Sequence, residues 1–448
     1  MTAVHFRNFR FPFSACFAAG CIVTMTVSCS SYQAKPLSVE SGMAAFSGRT
    51  LSSAMQAAGE KVPGKWNFAA LATASNQMHG EVRLARAQAE TAKAALQTAG
   101  ARPNPTFGFA PERAIPGGGS PWIMGFTLDV PIETGGKRNA RLAKAVADAQ
   151  TAALHVTEVI WANRSKLRKA WIDLHGAQRR MAVLEKQLAV QDETVKFLDA
   201  QVKAGEMSRP VLLQSRLLVS QTKLLAANAR KQAAEARADV AVEIGVPQSA
   251  LENVVFDFNK LANLPSLPSA RILRQAAATQ RPDVLSAVAE YAAAEAVLRM
   301  EIAKQYPDVH LGPGYQFDQG INKWALGINL TLPIFDKNKG PIAEAEARRA
   351  EAAVKVESAQ VKAMGEVDRA LVSYHACVQR QQTADALVAE QRKQLESVEA
   401  MVRAGEGDRL SALSSQVELS AAELGRLEAE IETQQALGAV EDAAQRPL

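Results

Sequence analysis

A glycine-rich segment and six histidines are the features of this sequence whose residue types could support phosphate or metal chemistry. The segment PGGGSP spans residues 116–121. A phosphate-binding loop needs a following helix and a Lys-Ser or Lys-Thr pair, and neither follows here. The histidines lack the spacing of metal ligands and have no paired cysteines or clustered carboxylates nearby; they are His5, His79, His155, His175, His310 and His375. The sequence therefore predicts a protein that is not an enzyme and holds no cofactor or resident metal.

Cys29 is the residue for which covalent chemistry is predicted. Residues 1–28 place basic residues before an uncharged apolar run at 11–27, which is typical of a removable signal peptide; a membrane anchor is the alternative. The sequence TVSC that ends at Cys29 resembles a bacterial lipobox, whose cysteine is acylated and becomes the mature N-terminus. We expect Cys29 to carry acyl chains, palmitate among them, that tether a lipoprotein to a membrane. Cys377 then remains as a free thiol.

Composition and charge favour long helices and argue against a nucleic-acid partner. Only 6% of the 448 residues are aromatic. Long stretches are rich in Ala, Gln, Glu and Arg, which is typical of helices joined by thin apolar seams. The formal net charge is +5, too small for the basic surface that binds nucleic acid.

The chain contains an internal duplication. A shift of 202 places, which brings Pro105 onto Pro307, also brings Trp122 onto Trp324. Further along, a shift of 200 places aligns VKAGEMSR, which begins at Val202, with VRAGEGDR. Two copies of one architecture are therefore predicted to lie side by side.

Each copy holds a pair of strands in which apolar and polar side chains alternate. The residues predicted to face lipid are Trp122, Phe126, Leu128, Trp324, Ile328 and Leu330. The residues predicted to line a lumen are Thr127, Asp129, Asn329 and Thr331. Strands of about ten residues with this alternation are typical of a membrane barrel, and a half-buried soluble sheet is the alternative. Four strands cannot close a barrel, because about eight are needed, so several chains must share one.

A long helix follows each strand pair. Residues 137–204 and 342–404 contain no Pro, and a helix of that length spans about 100 Å. An apolar heptad seam runs along the first of these helices. We predict that the returning helix continues the seam at Leu213, Leu217, Ser220 and Leu224.

The turns AGEMSRP and AGEGDRL end the two long helices. Glycine in each turn favours the positive φ that closes a helix, and Ser208 and Asp408 are predicted N-caps of the returning helices. A hairpin tip that projects ~100 Å from a membrane has few uses besides docking a partner. The predicted docking residues are Gly205, Glu206, Arg209, Gly405, Glu406 and Arg409.

These patterns divide the chain into five parts. They are a signal peptide at 1–28, an N-terminal segment at 29–65, a first repeat at 66–255, a linker at 256–269 and a second repeat at 270–445. The strands are predicted at about 105–113, 121–132, 307–318 and 322–334, and the tips at 203–210 and 403–410.

The duplicated order of helix, strand pair, long helix, AGE turn and returning helix resembles that of the TolC family of outer-membrane efflux proteins, over essentially the whole mature chain. PIETGGKRNARLAKA from Pro131 and LPIFDKNKGPIAEAEARR from Leu332 are similar to the CzcC branch, the outer-membrane parts of heavy-metal efflux systems. The resemblance implies a mostly α fold with a small β contribution, in which a homotrimer forms one β-barrel in the outer membrane of a Gram-negative bacterium and an α-helical tunnel across the periplasm. It also implies a periplasmic adaptor and an inner-membrane pump of the resistance-nodulation-division type as partners, with outer-membrane lipid around the barrel.

The entrance of the tunnel departs from the family pattern. TolC itself narrows its entrance with aspartates about six and nine residues beyond the second tip glycine, and Ser411 and Ser414 stand there in this chain. An acidic entrance built from Glu206, Glu406 and Asp408 is therefore a hypothesis, and solvated acids at helix caps are the alternative.

The predicted function is a passive export duct in a tripartite efflux system, with heavy-metal cations as substrate. The alternatives are a duct for drugs or other organic compounds, a periplasmic adaptor and a structural coiled-coil lipoprotein. An adaptor should show one hairpin flanked by compact β-domains, and a coiled-coil lipoprotein should lack membrane-facing strands.

Overall fold

The structure, a computed structural model, describes residues 32–113, 122–318 and 320–447. The predicted signal peptide at 1–28 and the acylation candidate Cys29 lie outside these residues. Residues 1–48 make up one unit and residues 49–448 another. In the first unit the structure describes the helix α1 (Val39–Ser47), whose N-cap Ser38 accepts a hydrogen bond from the backbone N–H of Ser41 at 3.2 Å.

The second unit contains two runs of similar element order. The first run holds α2 (Leu51–Ala58), α3 (Phe68–Met78), α4 (Gly80–Gly100), β1 (Thr106–Arg113), β2 (Trp122–Ile132), α5 (Lys137–Ala204) and α6 (Arg209–Ile244). Short 3-10 helices at Gln248–Leu251 and Asn259–Ala262 follow. The second run holds α7 (Ala270–Gln280), α8 (Pro282–Ala303), β3 (Val309–Asp318), β4 (Ile321–Leu330), α9 (Lys339–Arg403) and α10 (Arg409–Ala444).

The strand β4 is shorter than predicted. It ends at Leu330, which pairs with Val309 at the start of β3, whereas residue alternation predicted a strand to about position 334. Pairing stops beyond Leu330 because the segments that would continue it contain prolines. Pro307 precedes β3 and Pro333 follows β4, and neither has a backbone N–H to donate. Thr331, one of the predicted lumen residues, therefore lies just outside the strand.

The long helices α5 and α9, of 68 and 65 residues, are each about 100 Å long. The inner helix α5 packs against both α6 and α10, and α10 packs against α9. The four helices therefore lie side by side in the order α6, α5, α10, α9. Nearer the sheet, α4 packs on α5, and α8 packs on both α5 and α9. Among the described helices, none combines the length and the apolar composition that crossing a membrane requires.

The seam on α6 is built from residues other than the predicted ones. Its buried residues are Leu212, Val219, Thr222, Ala226 and Ala229. Leu213, Leu217 and Leu224 are 62%, 58% and 64% exposed, and Ser220 is exposed too, so the prediction was wrong. The buried set and the predicted set both follow the helical repeat of three and four residues. The periodicity of one helix therefore does not show which set packs against the neighbouring helix. The buried set packs inward and leaves Leu213, Leu217 and Leu224, the leucine stripe, on an open face of an edge helix.

Two buried apolar clusters are related by the repeat. The first includes Leu167, Ala170, Trp171 and Leu174 of α5. The second includes Val367, Ala370, Leu371 and Tyr374 of α9, which stand 200 places further along the chain. The two halves thus bury equivalent positions of their long helices at the level where the returning helices end.

Candidate duct surface and helical tips

The four strands form one antiparallel sheet in the order β1-β2-β3-β4, so that β2 of the first half pairs with β3 of the second. Helices join the sheet at the end that holds Thr106, Ile132, Val309 and Leu330, which we call the base. The strands β1 and β4 are the edges, and within the described residues neither has a second partner.

One face of the sheet is apolar and carries all six residues predicted to face lipid. The register places on this face Trp122, Phe126, Leu128, Trp324, Ile328 and Leu330. A row of rings, one from each strand, crosses it with neighbouring centroids 4.9, 6.3 and 4.9 Å apart; the row is Phe109, Phe126, Tyr315 and Trp324. Trp324 is 81% exposed and Leu326 is 69% exposed. An exposed apolar surface of this kind is typical of a contact with membrane or protein.

The opposite face of the sheet is polar at its ends and lined by small residues between them. The small residues are Gly108, Ala110, Gly125, Thr127, Gly312, Gly314, Ala325 and Gly327. A Cβ atom on Gly108 would come within 2.5 Å of Thr127 Oγ1, so side chains of neighbouring strands are close here. The predicted lumen residues Thr127, Asp129 and Asn329 all lie on this polar face.

A pair of polar side chains in contact lies at each end of the polar face. At the base, His310 Nδ1 is 3.0 Å from Asp129 Oδ2. At the other end, Lys323 Nζ is 2.7 Å from Asp318 Oδ2. No partner for His310 was predicted from the sequence. The contact depends on the pairing of β2 with β3, which joins the two halves, and no local pattern predicts that pairing.

Hydrogen bonds at the base attach the strands to α5. Lys137 Nζ lies 2.8 Å from Asp308 Oδ1, and the backbone N–H of Thr134 donates to the same oxygen at 2.9 Å. Burial favours the neutral form of Asp308, but these two hydrogen bonds outweigh it and lower the pKa of the carboxyl. Arg141 donates to both carboxylate oxygens of Glu133, at 2.6 and 3.1 Å, and this hydrogen bonding holds the pKa of Glu133 below its usual range. The carboxylates of Asp308 and Glu133 are therefore charged at neutral pH.

The two helical hairpins end in exposed glycine turns of nearly the same conformation. Gly205 has φ 81° and Gly405 has φ 79°, in the left-handed region that closes a helix. The side chain of Asp408 accepts a backbone N–H of α10 at 3.1 Å, as predicted for a cap. Ser208 is the N-cap residue of α6, as predicted, but its side chain makes no capping hydrogen bond. Pro210, the second residue of α6, has no N–H to donate to the Ser208 side chain.

The tips differ in how their arginines are held. Arg409 forms an ion pair with Glu193 of α5, and its guanidinium lies 5.6 Å from the centroid of the Phe197 ring. Arg209 has no ion-pair partner within the described ranges. Glu206 and Glu406 are both exposed. Within the described residues, the arginine of the second tip is therefore held by the other hairpin, and the arginine of the first tip is not.

The histidines and the free cysteine form no metal centre in the part of the chain that the structure describes. There, no three or more His, Cys, Asp or Glu side chains are grouped to hold an ion. His175 packs against Phe258 with centroids 4.7 Å apart, and burial, with Arg179 as a second cause, lowers its pKa to about 4. Cys377 is half-buried against the second apolar cluster.

Comparison with known proteins identifies the family. The model of the family described as "Outer membrane efflux protein" matches residues 71–246 and 273–444. The chain also superposes on the outer membrane protein VceC of Vibrio cholerae with a TM-score of 0.69 at 18% identity, over 84% of this chain and 95% of that one. This likeness concerns the fold, and with the family match it confirms the predicted mostly helical, TolC-like fold class with a small sheet.

Two relatives match part of the chain. Nodulation protein T of Rhizobium leguminosarum bv. trifolii is 26% identical over 256 residues, which are 53% of this chain and 52% of that protein. The cobalt-zinc-cadmium resistance protein CzcC of Cupriavidus metallidurans is 24% identical over 229 residues, which are 48% of this chain and 50% of that protein. The matches therefore span about half the length of each relative.

Proposed function

We propose that this chain, which belongs to the outer membrane efflux protein family, forms the outer-membrane duct of a tripartite efflux system. Three copies would join their strands into one barrel of about twelve strands, and their long helices into a tunnel of about 100 Å. A periplasmic adaptor and an inner-membrane pump of the resistance-nodulation-division type would complete the system. Passage through the duct is passive and is selected by its diameter and lining charge, so the chain itself needs no enzymatic activity.

The observation that carries this proposal is a four-stranded sheet with an exposed apolar face, a face of small and polar residues, and two open edges. In lipid an open edge leaves backbone groups unpaired at several kcal/mol each, and further copies pairing edge to edge remove that cost. Across the sheet, Trp324 lies level with Phe126 of β2, because both pair with Tyr315. Trp122, the counterpart of Trp324 in the first repeat, stands four residues before Phe126, so the two repeats are staggered along the sheet. Closed barrels require a stagger of this kind because their strands are tilted.

The helical layer also has two edges that suit further copies. On α6 the leucine stripe is exposed. On α9 the exposed apolar residues include Val354, Val361, Val372 and Leu387. Packing of α6 from one copy against α9 of the next would cover both sets and close the tunnel.

Thiol labelling tests the assignment of the two faces. In a Cys377→Ala background, single cysteines replacing Thr127 or Asn329 should react with a water-soluble thiol reagent, because those positions line the duct. Cysteines replacing Leu128 or Leu330 should be protected by lipid. Protection at 127 and 329 together with rapid labelling at 128 and 330 contradicts the proposed duct.

The exposed tips are proposed to dock the adaptor, through Gly205, Glu206, Arg209, Gly405, Glu406 and Arg409. Glu206, Glu406 and Asp408 are proposed to give the entrance an acidic lining. Replacing Gly205 or Gly405 with Val forces a β-branched residue toward positive φ. Efflux should therefore fall in both variants while trimer assembly survives, and normal resistance in both contradicts docking at the tips.

Heavy-metal cations are the proposed substrate class, supported by the resemblance of the strand-to-helix segments to the CzcC branch and by the partial match to CzcC. Deletion of the gene should sensitise cells to cobalt, zinc or cadmium, and the intact chain should restore growth. Sensitivity to organic drugs alone identifies the alternative duct for organic compounds.

Cys29 is proposed to be the acylated N-terminus of the mature chain, because a basic, apolar leader precedes it. The intact mass of the purified protein should correspond to residues 29–448 plus acyl chains. An unmodified Cys29, or cleavage at another site, refutes the lipid anchor.

A further inference from the structure

We infer that β4 of each copy pairs with β1 of the next copy in the register that β2 and β3 use within the chain, and that this pairing extends β4 to Ile334. The partner of both sheet edges is therefore a second copy of this chain. The inference rests on the proposed duct, in which copies join edge to edge, and it specifies which residues meet at the joint.

The two hairpins of the sheet pair their strands in equivalent registers. A shift of 202 places relates β1 to β3 and β2 to β4. Phe107 pairs with Leu128 in the first hairpin, and their counterparts Val309 and Leu330 pair with each other in the second. The repeat is therefore kept residue by residue in the sheet, and a hairpin is its unit.

The pairing of β2 with β3 shows how one hairpin joins the next. Val130 lies opposite Leu311, and Ile132 lies opposite Val309. The strand β4 is the counterpart of β2, and β1 is the counterpart of β3, but these two strands are the edges of the sheet. In a barrel built from equivalent hairpins the same joint recurs, so that β4 meets β1 of the next copy as β2 meets β3.

The shift of 202 places converts the observed pairs into pairs between copies. With the second residue of each pair on the next copy, they are Ile328 with Arg113, Asn329 with Glu112, Leu332 with Phe109, and Ile334 with Phe107. Each pair joins two residues that the alternation of strand side chains assigns to the same face. The apolar face and the polar face therefore both continue across the joint.

Large apolar side chains stand exposed on both edges at the level of the proposed joint. Phe107 and Phe109 on β1, and Leu332 and Ile334 after β4, are all between 52% and 67% exposed. In the joint they form two cross-strand pairs on the apolar face. Apolar pairs that include an aromatic ring stabilise a sheet, so these four side chains favour this register.

The segment 331–334 has a different conformation from its counterpart, 129–132. In the single copy the backbone N–H of Ile334 donates to the carbonyl oxygen of Leu332 at 2.8 Å, which closes a local turn. Ile132, the counterpart of Ile334, instead pairs with β3 and extends β2. The difference between the two segments is the presence of a neighbouring strand, which the joint supplies.

A proline at position 333 is compatible with this pairing. Pro131, its counterpart, lies opposite His310 within the sheet. With β1 of the next copy beside it, the segment 331–334 continues β4. By alternation Thr331 then returns to the polar face, the side that was predicted for it from the sequence.

The helices follow the same operation as the strands. Within one copy α5 packs against α10. Their counterparts are α9 and α6, so α9 of one copy meets α6 of the next. This is the packing that covers the leucine stripe, and the strand and helix layers therefore require the same neighbour.

Disulfide cross-linking of the full-length assembly tests the register. In a Cys377→Ala background, one double variant combines Leu332→Cys with Phe109→Cys, and another combines Ile334→Cys with Phe107→Cys. Residues directly opposite each other have Cα atoms about 4.5 to 5.5 Å apart, within the range of a disulfide. Oxidation with copper phenanthroline should therefore shift both variants from monomer to covalent trimer on a non-reducing denaturing gel.

The exchanged combinations are matched controls, because they use the same four positions two residues out of register. They combine Leu332→Cys with Phe107→Cys, and Ile334→Cys with Phe109→Cys. The introduced thiols then lie on diagonal residues about 7 to 8 Å apart, which a disulfide does not bridge without movement of the backbone. Both variants should remain monomers on the same gel.

Val130→Cys with Leu311→Cys is the positive control, and it should form a disulfide within one chain. Covalent trimers from the exchanged combinations in place of the direct ones overturn the register and leave the duct standing. A trimer that forms the 130–311 disulfide but no disulfide between copies in any combination overturns the register too. A chain that is monomeric before oxidation overturns the proposed duct itself.

Discussion

The ends of α6 and α10 occupy equivalent places in the two halves but are held by different chemistry. In the first half α6 ends beside the junction of α3 and α4, and the polar residues there are Ser75, His79, Asn163 and Glu243. In the second half α10 ends beside the junction of α7 and α8, and the residues at the corresponding positions are Ala277, Arg281, Ala363 and Ala443. The repeat has kept the geometry and exchanged the polar groups.

In the first half a buried hydroxyl and amide bind the end of α6. Ser75 and Asn163 are 0% and 1% exposed. Ser75 Oγ lies 2.5 Å from the carbonyl oxygen of Glu243. With the Asn163 amide oriented so that its nitrogen faces acceptors, Nδ2 lies 3.2 Å from Glu243 Oε2 and 3.3 Å from the carbonyl oxygen. Burial raises the pKa of the Glu243 carboxyl above its usual value.

In the second half one buried guanidinium serves the end of α10. Arg281 is 5% exposed, and its Nη1 donates to the carbonyl oxygen of Ala443 at 2.9 Å. It also binds Glu366 at 2.6 Å and Asp283 at 2.7 Å.

The end of a returning helix requires a hydrogen-bond donor at this position. The last carbonyls of a helix have no partner within the helix, and a buried carbonyl without a donor costs about 1 to 3 kcal/mol. Either half satisfies the requirement, one with neutral donors and the other with a cation. The two halves should therefore respond differently to the same kinds of substitution.

The largest effect is expected from Arg281→Gln. It removes a buried guanidinium from the Ala443 carbonyl and from the carboxylates of Asp283 and Glu366, so the free energy of unfolding in detergent should fall by about 3 kcal/mol. Arg274→Gln is the control, because its pair with Asp368 is exposed on both sides and should contribute below about 1 kcal/mol. Equal losses in the two variants contradict the role given to Arg281.

Exchanging Asn and Ala between the equivalent positions 163 and 363 should lower the free energy of unfolding by a smaller amount in each half. Asn163→Ala removes donors from Glu243, and Ala363→Asn buries an amide beside Ala277 and Ala443, which offer it no side-chain partner. Each should lower the free energy of unfolding by about 1 to 3 kcal/mol. In a double-mutant cycle, Ser75→Ala should couple to Asn163→Ala by more than about 0.5 kcal/mol, and additive losses refute the shared network.

The pH response should differ between the halves through Glu243. Its pKa is raised on folding, so the folded state holds the proton more tightly. The ionised carboxylate therefore lowers stability above the folded pKa, and this cost disappears as the pH falls toward the usual glutamate value of about 4. The difference in unfolding free energy between wild type and Glu243→Gln should change with pH by less than about 1 kcal/mol. For Ala443→Gln, the same difference should not depend on pH. If the difference for Glu243→Gln does not depend on pH either, the role given to Glu243 is contradicted.

The smallest effect is expected at the tips. Arg409→Gln breaks an exposed pair with Glu193 and a contact with Phe197, which together should contribute about 0.5 to 1 kcal/mol. Hydrogen exchange at the second tip should accelerate accordingly. Arg209→Gln should leave exchange at the first tip unchanged, and equal acceleration at both tips removes the distinction between them.

Features that depend on neighbouring residues in the chain could be predicted from the sequence. Strand side chains alternate with a period of two, and this is why Trp122, Leu128, Ile328 and their partners could be assigned to one face before the sheet was known. Gly205 and Gly405 could be placed at turns because positive φ favours glycine. The duplication and the family resemblance predicted the fold class.

Contacts between distant segments were decided only by the tertiary structure. Pairing of β2 with β3 places His310 against Asp129 across 181 positions of the chain. The leucine stripe on α6 is exposed because another set of residues with a similar periodicity, which includes Leu212, Val219 and Ala226, is buried instead. The donors to Glu243 and Ala443 likewise come from other helices. Sequence periodicity determines which side chains share a face, but the partner that the face meets depends on how the halves pack against each other.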